Sequence, residues 1–315
     1  MKIAFLFSGQ LREISYDLFR KSLLNLTNHI DYGIFVYCWE EEGKSLNHKN
    51  KLPATNLVKN IDQKILKMFN GFNLLNYSYE SFKNFDKKIS LDHQKILNSK
   101  NFHFGTINSL PQIYSLHKSF GLLEKSNYDF DLVFKCRFDS IFIYPFKLLS
   151  PNEILLNNKL YNLNFGRSYY PRRIYDVFFG GSRQSMNFLS NIWEQIPALV
   201  NNKFNNGLDK RDCCRILYLA AKLNNIEIKS FSSRICDVYR GDDYEYSKYL
   251  INSHLINSSL NKKNIIILKS IYSWIRERNL SNTRILIFLI NAFLYFPLAY
   301  LKRLRYLKIS RTFFN

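Results

Sequence analysis

Two apolar segments near the amino terminus constrain the fold most strongly. Lys2 to Phe7 and Tyr32 to Trp39 are apolar at nearly every position, so neither has a polar face to turn towards water. Strands that are apolar on both faces are typical of parallel sheets covered by helices on both sides. The residues between them predict a helix that runs through Leu26. Strand, helix, strand in this order predicts an α/β fold with a mostly parallel sheet flanked by helices.

The residues that follow the first strand, Ser8 to Arg12, predict a turn. Gly9 in this turn allows close approach to the backbone, because glycine has no Cβ. Arg12 lies near the start of the predicted helix. The turn would therefore lie at the carboxyl end of the first strand, where open α/β sheets bind ligands.

The segment Tyr128 to Asp139 predicts a buried strand that ends in two charged side chains. Alternation places Leu132, Phe134, Cys136 and Phe138 on one face of the strand. Arg137 and Asp139 then share the other face, at the end where open α/β sheets bind ligands. Asp139 could bind a divalent cation and Arg137 could hold a phosphate, which favours a diphosphate ligand such as a nucleotide-sugar. The alternative is an internal Arg–Asp ion pair that closes the strand end.

Residues 167 to 182 combine arginines, aromatic residues and glycines. Asp176 in this segment precedes a short apolar strand. Gly180-Gly181-Ser182 then predicts a turn into a helix that runs through Trp193. Backbone N–H groups at such a turn could face an anion or a sugar hydroxyl, although the same three residues also form ordinary loops.

Two further helices are predicted, Ser109 to Ser126 and Cys213 to Leu223. The first has apolar residues at intervals of three and four, which is the pattern of a helix with one buried face. The second follows Asp209 and Asp212, and either acid could supply a carboxylate to a cleft. The alternative is an acid that only complements the helix dipole. Residues Glu40 to Asn108 are mostly polar and predict loops and short helices.

The net charge and the cysteine content limit which partners and metal sites are expected. The net charge of +20 favours anionic partners. The lysines are scattered and no nucleic-acid-binding motif occurs, so we expect no nucleic acid partner. The five cysteines lack C-x-x-C spacing and the six histidines lack paired spacing. This pattern predicts reduced cysteines, as in the cytoplasm, and no zinc site.

The carboxyl-terminal residues predict a separate basic, apolar helical tail. Ile285 to Leu301 is an apolar stretch broken only by Asn291 and Pro297, with basic residues on both sides. It is shorter than the ~20 residues of a typical membrane-spanning helix. A helix lying on an anionic inner-membrane surface fits better, and the alternative is a helix docked on the rest of the chain. We therefore predict an α/β domain over 1–250 and a membrane-associating tail over 251–315.

Four segments resemble a known family in their order along the chain. They are KIAFLFSGQLR, GIFVYCW, LPQIYSLHKSFGLLEKSNYDFDLVFKCRFDSIF and YDVFFGGSRQSMNFLSNIW. In this order they resemble the bacterial and viral glycosyltransferases in which a strand ends in an R-x-D motif. The resemblance covers Met1 to Arg240, with a poorer match between Glu40 and Asn108.

The resemblance implies a GT-A-like fold. It also implies transfer of a sugar from a nucleotide-sugar to a surface glycan, such as lipopolysaccharide or capsular polysaccharide. The membrane-associating tail would in addition give access to a lipid-linked acceptor. Ser8, Gly9 and Arg12 would contact the nucleotide. Arg137 and Asp139 would stand where other GT-A enzymes carry D-x-D, and Asp139 would be the ligand of a Mn or Mg ion. Because Arg137 replaces the first acid of D-x-D, it could replace part of the cation's charge.

The resemblance implies a hexosyltransferase-like enzyme. With the predicted tail, this enzyme would be cytoplasmic and peripheral to the inner membrane. Arg137 would stabilise negative charge on the leaving diphosphate, and Asp176 or Asp212 would take the proton of the acceptor hydroxyl. The alternative from another class is a non-catalytic basic protein that binds anionic membrane or nucleic acid. A sulfotransferase is disfavoured because no glycine-rich phosphate loop follows the first strand.

Overall fold

A computed structural model describes residues 1–12, 14, 16–43, 55–97, 109–142, 159–162, 173–201, 213–230 and 236–238. All of them belong to the first of two units of the chain, Met1–Gly241. Asp209, Asp212 and the tail over 251–315 lie outside the described residues, so the predicted domain boundary stays a prediction. Within the described ranges, no helix combines the length and apolar character needed to cross a membrane.

The described residues form ten strands and eight α-helices. The strands are β1 (Lys2–Arg12), β2 (Asp31–Gly43), β3 (Thr55–Leu57), β4 (Leu74–Glu80), β5 (Leu132–Cys136), β6 (Ser140–Phe142), β7 (Lys159–Asn162), β8 (Phe178–Ser182), β9 (Glu227–Ser230) and β10 (Cys236–Val238). The helices are α1 (Tyr16–Thr27), α2 (Ile61–Met68), α3 (Phe85–Lys88), α4 (Leu91–Leu97), α5 (Ser109–Glu124), α6 (Arg183–Ser190), α7 (Ile192–Asn201) and α8 (Cys213–Leu223). A short 3₁₀ helix, Phe82–Asn84, precedes α3.

The main sheet has the strand order β3-β2-β1-β5-β8-β7-β9, and β4 also pairs with β2. The pairings β1–β2, β1–β5, β2–β4 and β7–β9 are parallel, whereas β2–β3, β5–β8 and β7–β8 are antiparallel. β6 and β10 form a separate two-stranded sheet. The predicted α/β class is confirmed, and the strands predicted from their apolar runs lie side by side at the parallel centre of a mixed sheet.

Side chains of β1 alternate between two buried cores, one on each face of the sheet. Ile3, Phe5 and Phe7 lie in the core formed with α1 and α2. Ala4 and Leu6 lie in the core formed with α5, α6, α7 and α8. Helices therefore cover both faces of the sheet, as the continuous apolar sequence of β1 predicts.

The turn predicted over Ser8 to Arg12 is wrong, because β1 continues through Arg12. Gln10 pairs with Trp39 of β2, and the register shifts before Arg12 pairs with Gly43. β2 is longer than its apolar run, so it supplies hydrogen-bond partners to the polar end of β1. The pairing extends the strand over residues whose composition favours a turn.

The turn predicted at Gly180-Gly181-Ser182 is also wrong, because these residues lie within β8. A Cβ at Gly180 would lie 2.3 Å from Cδ1 of Phe134, and one at Gly181 would lie 2.4 Å from the carbonyl oxygen of Lys159. The glycines therefore allow close approach of the neighbouring strands. The helix predicted through Trp193 is two helices, α6 and α7, separated at Asn191.

The polar region over Glu40 to Asn108 contains the predicted short helices α2, α3 and α4. It also contains two strands, β3 and β4, that its composition does not predict. A buried carboxylate attaches the end of β4 to β2. Glu41 accepts hydrogen bonds from the hydroxyl of Ser81 and from the N–H groups of Phe82 and Lys83. These bonds satisfy a charge that is fully buried and fix the start of the 3₁₀ helix beside the sheet.

Candidate functional site

A tight turn at the end of β5 brings Arg137 and Asp139 together. β5 ends at Cys136, and the N–H of Ser140 donates to the carbonyl oxygen of Arg137 at 3.1 Å. The predicted strand through Asp139 is therefore too long. Phe138 still lies in the same core as Cys136, as predicted. The turn, and not the alternation of side chains along a strand, therefore brings the side chains of Arg137 and Asp139 together.

The guanidinium of Arg137 binds two carboxylates. Its Nε donates to Oδ1 of Asp139 at 2.8 Å, and its Nη2 donates to Oδ2 of Asp139 at 2.6 Å. Its Nη1 donates to Oδ2 of Asp176 at 3.0 Å. The planar guanidinium matches the carboxylate of Asp139 through two parallel hydrogen bonds, a geometry that lysine cannot provide. The internal Arg–Asp ion pair that the sequence offers as an alternative is therefore present.

Asp139 is a poor fit for a divalent cation in this arrangement. Both of its carboxylate oxygens accept N–H groups from Arg137, and Nε of Arg12 lies 3.9 Å from Oδ2. A Mn or Mg ion would need those same oxygens and would lie against two guanidinium groups. The metal role of Asp139 stays a prediction, and we assign no chemical step to it.

Lys135 also lies beside this network, and no motif in the sequence predicts it. Its side chain is only 3% exposed, and its Nζ donates to the backbone carbonyl oxygen of Asp176. Among the described residues, no carboxylate lies within ion-pair distance of Lys135. Burial lowers the pKa of Lys135, although the negative charge of Asp176 opposes this effect. The signal in the sequence is a lysine inside an otherwise apolar strand.

Asp176 connects the two cations of this site. Burial alone would raise the pKa of its carboxyl group, but Arg137 and then Lys135 outweigh burial and hold the pKa below its usual range. Asp176 is therefore ionised at neutral pH and is a weak base. Its predicted role as a proton acceptor stays a prediction, since an efficient general base has a pKa close to the working pH.

Replacing Asp176 with asparagine should remove a pH-dependent part of the stability. Because the folded-state pKa is lowered, the ionised carboxylate stabilises the fold above the unfolded-state pKa, and this contribution is lost as the pH falls through the folded-state pKa. The free energy of unfolding should therefore differ most between wild type and D176N near neutral pH and converge in acid.

Denaturant titrations at a series of pH values measure this difference. Asp129→Asn is the control, because the Asp129 side chain is 98% exposed in its contact with Arg183. A difference between wild type and D176N that stayed constant from neutral pH into acid would contradict the assignment.

Two buried hydroxyl groups lie near this network, on the face of the sheet that α5 covers. Ser8 pairs with Tyr37 in the β1–β2 register. The Oγ of Ser8 is buried and has no hydrogen-bond partner among the described residues. The hydroxyl of Tyr37 likewise makes no hydrogen bond of ordinary geometry to the described residues. Burial, and then the nearby Glu80 and Tyr114, raise the pKa of Tyr37. Since buried polar groups are usually paired, the hydroxyl of Ser8 is one of the few exceptions among the described residues.

The backbone beside Ser8 is open. Gly9 has a φ of +116°, a conformation that side-chain-bearing residues rarely adopt. A Cβ at this position would meet no atom of the described residues within 4 Å. Gly9 therefore leaves space for close approach to the backbone, and its predicted contact with a nucleotide stays a prediction.

Helix α8 brings two thiols to Asp176. The Sγ of Cys214 lies 3.9 Å from Oδ1 of Asp176, and the Sγ of Cys213 lies 4.0 Å from that of Cys214. The Sγ of Cys213 also lies 2.7 Å from Oε1 of Gln112 on α5. Spacing rules for metal ligands do not select this group, because its members come from distant parts of the sequence. The adjacent cysteines are the only local signal.

Comparisons with known proteins give no family for this chain. No protein-family model matches it, and no curated protein matches it. Among solved structures, it is similar to the apo form of mouse xyloside xylosyltransferase 1, with 7% sequence identity and a TM-score of 0.42. The match covers 73% of this chain and 85% of that chain. A likeness at this level indicates neither family nor activity, so the α/β class rests on the sheet and helices described above.

Proposed function

We propose that the chain is a glycosyltransferase that moves a sugar from a nucleotide-sugar to a cell-surface glycan or a lipid-linked acceptor. The observation that carries the proposal is Lys135, a buried amine one residue before the carboxyl end of β5. No carboxylate in the described part of the chain forms an ion pair with it. A buried cation calls for an anionic partner, and open α/β sheets bind their ligands at this edge. The diphosphate of a nucleotide-sugar would supply that charge.

The groups around Lys135 suit a diphosphate. Ser8 directly follows Phe7 of β1, which pairs with Cys136, the last residue of β5 and the neighbour of Arg137. The hydroxyl of Ser8, which has no hydrogen-bond partner among the described residues, could donate a hydrogen bond to a phosphate oxygen. The side chain of Arg12, 23% exposed, adds a second cation at the same edge. A hydroxyl donor and two cations would therefore be available to the proposed ligand.

The residues then have distinct roles in the proposed reaction. Lys135 and Arg12 offset the negative charge that develops on the leaving diphosphate. Arg137 is a positioning residue, because its N–H groups already bind Asp139 and Asp176. Because Asp176 accepts a hydrogen bond from Arg137, Asp212 is the better candidate to accept the proton of the attacking hydroxyl.

The acceptor class and the location rest on the sequence. The apolar and basic tail over 251–315 would hold the enzyme at the cytoplasmic surface of the inner membrane. Lipid-linked acceptors are accessible at that surface. This part of the proposal depends on the resemblance and on the composition of the tail.

Release of nucleoside diphosphate from a panel of nucleotide-sugars tests the proposal. With the preferred donor, Lys135→Met should lower the turnover of the full-length protein by about 100- to 1,000-fold, the usual effect of removing one group that stabilises transition-state charge. The same substitution should leave the melting temperature unchanged or raise it, because an apolar side chain replaces a buried cation.

Lys159→Met is the matched control. Lys159 is also a buried lysine in the main sheet, but it has a carboxylate near it, with Nζ 3.9 Å from Oε2 of Glu227. K159M should retain turnover. Absence of release from every donor, or full turnover in K135M, would contradict the proposed function.

A further inference from the structure

Asp176 and two cysteines, Cys213 and Cys214, form a cluster of three potential metal ligands. The cysteines lie near the carboxylate oxygen of Asp176 that Arg137 does not bind. Oδ2 of Asp176 accepts from Arg137, whereas Oδ1 faces the Sγ of Cys214 at 3.9 Å. The ligand atoms of Asp176, Cys213 and Cys214 all lie within 4.8 Å of one another. We propose that these three residues form a binding site for a thiophilic divalent cation of the zinc class, independent of the proposed transferase activity.

Two of the three distances among these ligand atoms are close to those of a tetrahedral zinc site. Zinc–sulfur bonds of about 2.3 Å and zinc–oxygen bonds of about 2.1 Å, at tetrahedral angles, separate two sulfurs by about 3.8 Å and a sulfur from an oxygen by about 3.6 Å. The sulfurs of Cys213 and Cys214 are 4.0 Å apart, and the sulfur of Cys214 is 3.9 Å from Oδ1 of Asp176. A shift of a few tenths of an ångström would complete these two edges of the tetrahedron.

Backbone contacts hold the ligands in this arrangement. The N–H of Cys213 donates to the hydroxyl of Ser109 at 2.9 Å, which ties the start of α8 to α5. The N–H of Ile174 donates to the carbonyl oxygen of Cys214, also at 2.9 Å, which ties α8 to the segment that carries Asp176. The helix with two ligands and the segment with the third are therefore fixed to each other independently of any bound ion.

Charge and donor chemistry also suit a zinc-class ion. Two thiolates balance the charge of a divalent cation, so binding adds no net charge to the buried region. Arg137 already pairs with Asp176, and Lys135 lies beside it. Thiolates prefer zinc and similar ions over Mg or Mn. Oε1 of Gln112, 2.7 Å from the sulfur of Cys213, offers an oxygen for the fourth position.

Cobalt titration of the reduced, tag-free full-length protein tests the site. Tetrahedral binding should give a thiolate-to-cobalt charge-transfer band and intense visible bands. Cys214→Ser should weaken cobalt binding by more than about 100-fold, because losing a ligand should exceed the 10- to 100-fold effect of losing an outer partner of a ligand. Cys38→Ala, which removes a buried thiol of β2, should bind cobalt as wild type does.

Alkylation of the wild-type protein provides a second measurement that needs no variant. Cys214 is half-buried, whereas the other four cysteines are buried, so it should be the thiol that alkylates fastest. Zinc should slow its alkylation, as followed by peptide mass spectrometry. Absence of a thiolate band, undiminished cobalt binding in C214S, or alkylation at the same rate with zinc would overturn the proposal and leave the two cysteines as packing residues only.

Discussion

Replacing Arg137 with alanine should destabilise the protein by about 3–5 kcal/mol, the usual effect of removing one partner from a buried ion pair. The guanidinium binds Asp139 through two hydrogen bonds and Asp176 through a third. The side chain of Asp139 is 3% exposed and that of Asp176 is 15% exposed. Without Arg137, both carboxylates would lose their main hydrogen-bond donor in a region that water reaches poorly.

Urea or guanidinium denaturation measures the effect as a lower midpoint. Arg183→Ala is the control, because Arg183 pairs at 3.2 Å with the exposed Asp129. An ion pair at the surface contributes at most about 1 kcal/mol. Arg137→Lys should fall between wild type and R137A, since lysine keeps the charge and loses the two-pronged geometry. If R137A lost no more stability than R183A, the network would not have the structural role that its hydrogen bonds indicate.

Gly180→Ala should lower the free energy of unfolding by about 3 kcal/mol. This loss is at the upper end of the usual range for overpacked cores. A Cβ at Gly180 would lie 2.3 Å from the ring of Phe134 and 2.4 Å from the carbonyl oxygen of Val133. The carbonyl oxygen belongs to the backbone of β5 and cannot turn aside as a flexible side chain can. β5 and β8 would have to separate at Phe134, in the middle of β5.

Gly121→Ala is the matched control, because it makes the same chemical change in α5. A Cβ at Gly121 would meet no atom within 4 Å. Since glycine is unfavourable inside a helix, G121A should stabilise the protein by about 0.5–1 kcal/mol. The two variants should therefore shift the denaturation midpoint in opposite directions. Equal stability of G180A and wild type would show that β5 and β8 are not packed as closely as described.

The centre of the sheet is predictable from the sequence because its signals are local. The apolar runs of β1 and β2 have no polar face, and the three- and four-residue spacing of α5 marks one buried side. Each pattern depends only on neighbouring residues. Their parallel arrangement then follows from the helix between the two strands.

The glycine-containing segments mislead because their structure depends on distant partners. Gly9 and Gly180 both suggest turns by composition, yet both lie in strands. At Gly180 the reason is the packing of β5, which lies more than forty residues earlier in the chain. No pattern within a few residues of either glycine shows which strand will lie beside it.

The candidate site is predictable in part for the same reason. Arg137 and Asp139 are two residues apart, so their proximity follows from the local sequence. The contact of Asp176 with Lys135, and the approach of Cys214 to Asp176, depend on how β5, α8 and the segment before β8 pack together. Lysine in an apolar strand and adjacent cysteines are visible signals, but neither one identifies its partner.

A thermal-shift panel of nucleoside diphosphates and nucleotide-sugars, with and without manganese, most directly tests whether a diphosphate binds beside Lys135 at the carboxyl end of β5. A ligand at 100 times its Kd should stabilise the full-length wild type by about 2.7 kcal/mol. We predict that one nucleotide class stabilises the wild type, that K159M retains this stabilisation and that K135M loses it. Comparing the shifts with and without manganese shows whether a cation contributes to binding. A folded protein that no nucleotide stabilises would contradict the account and favour a basic protein that binds anionic surfaces without catalysis.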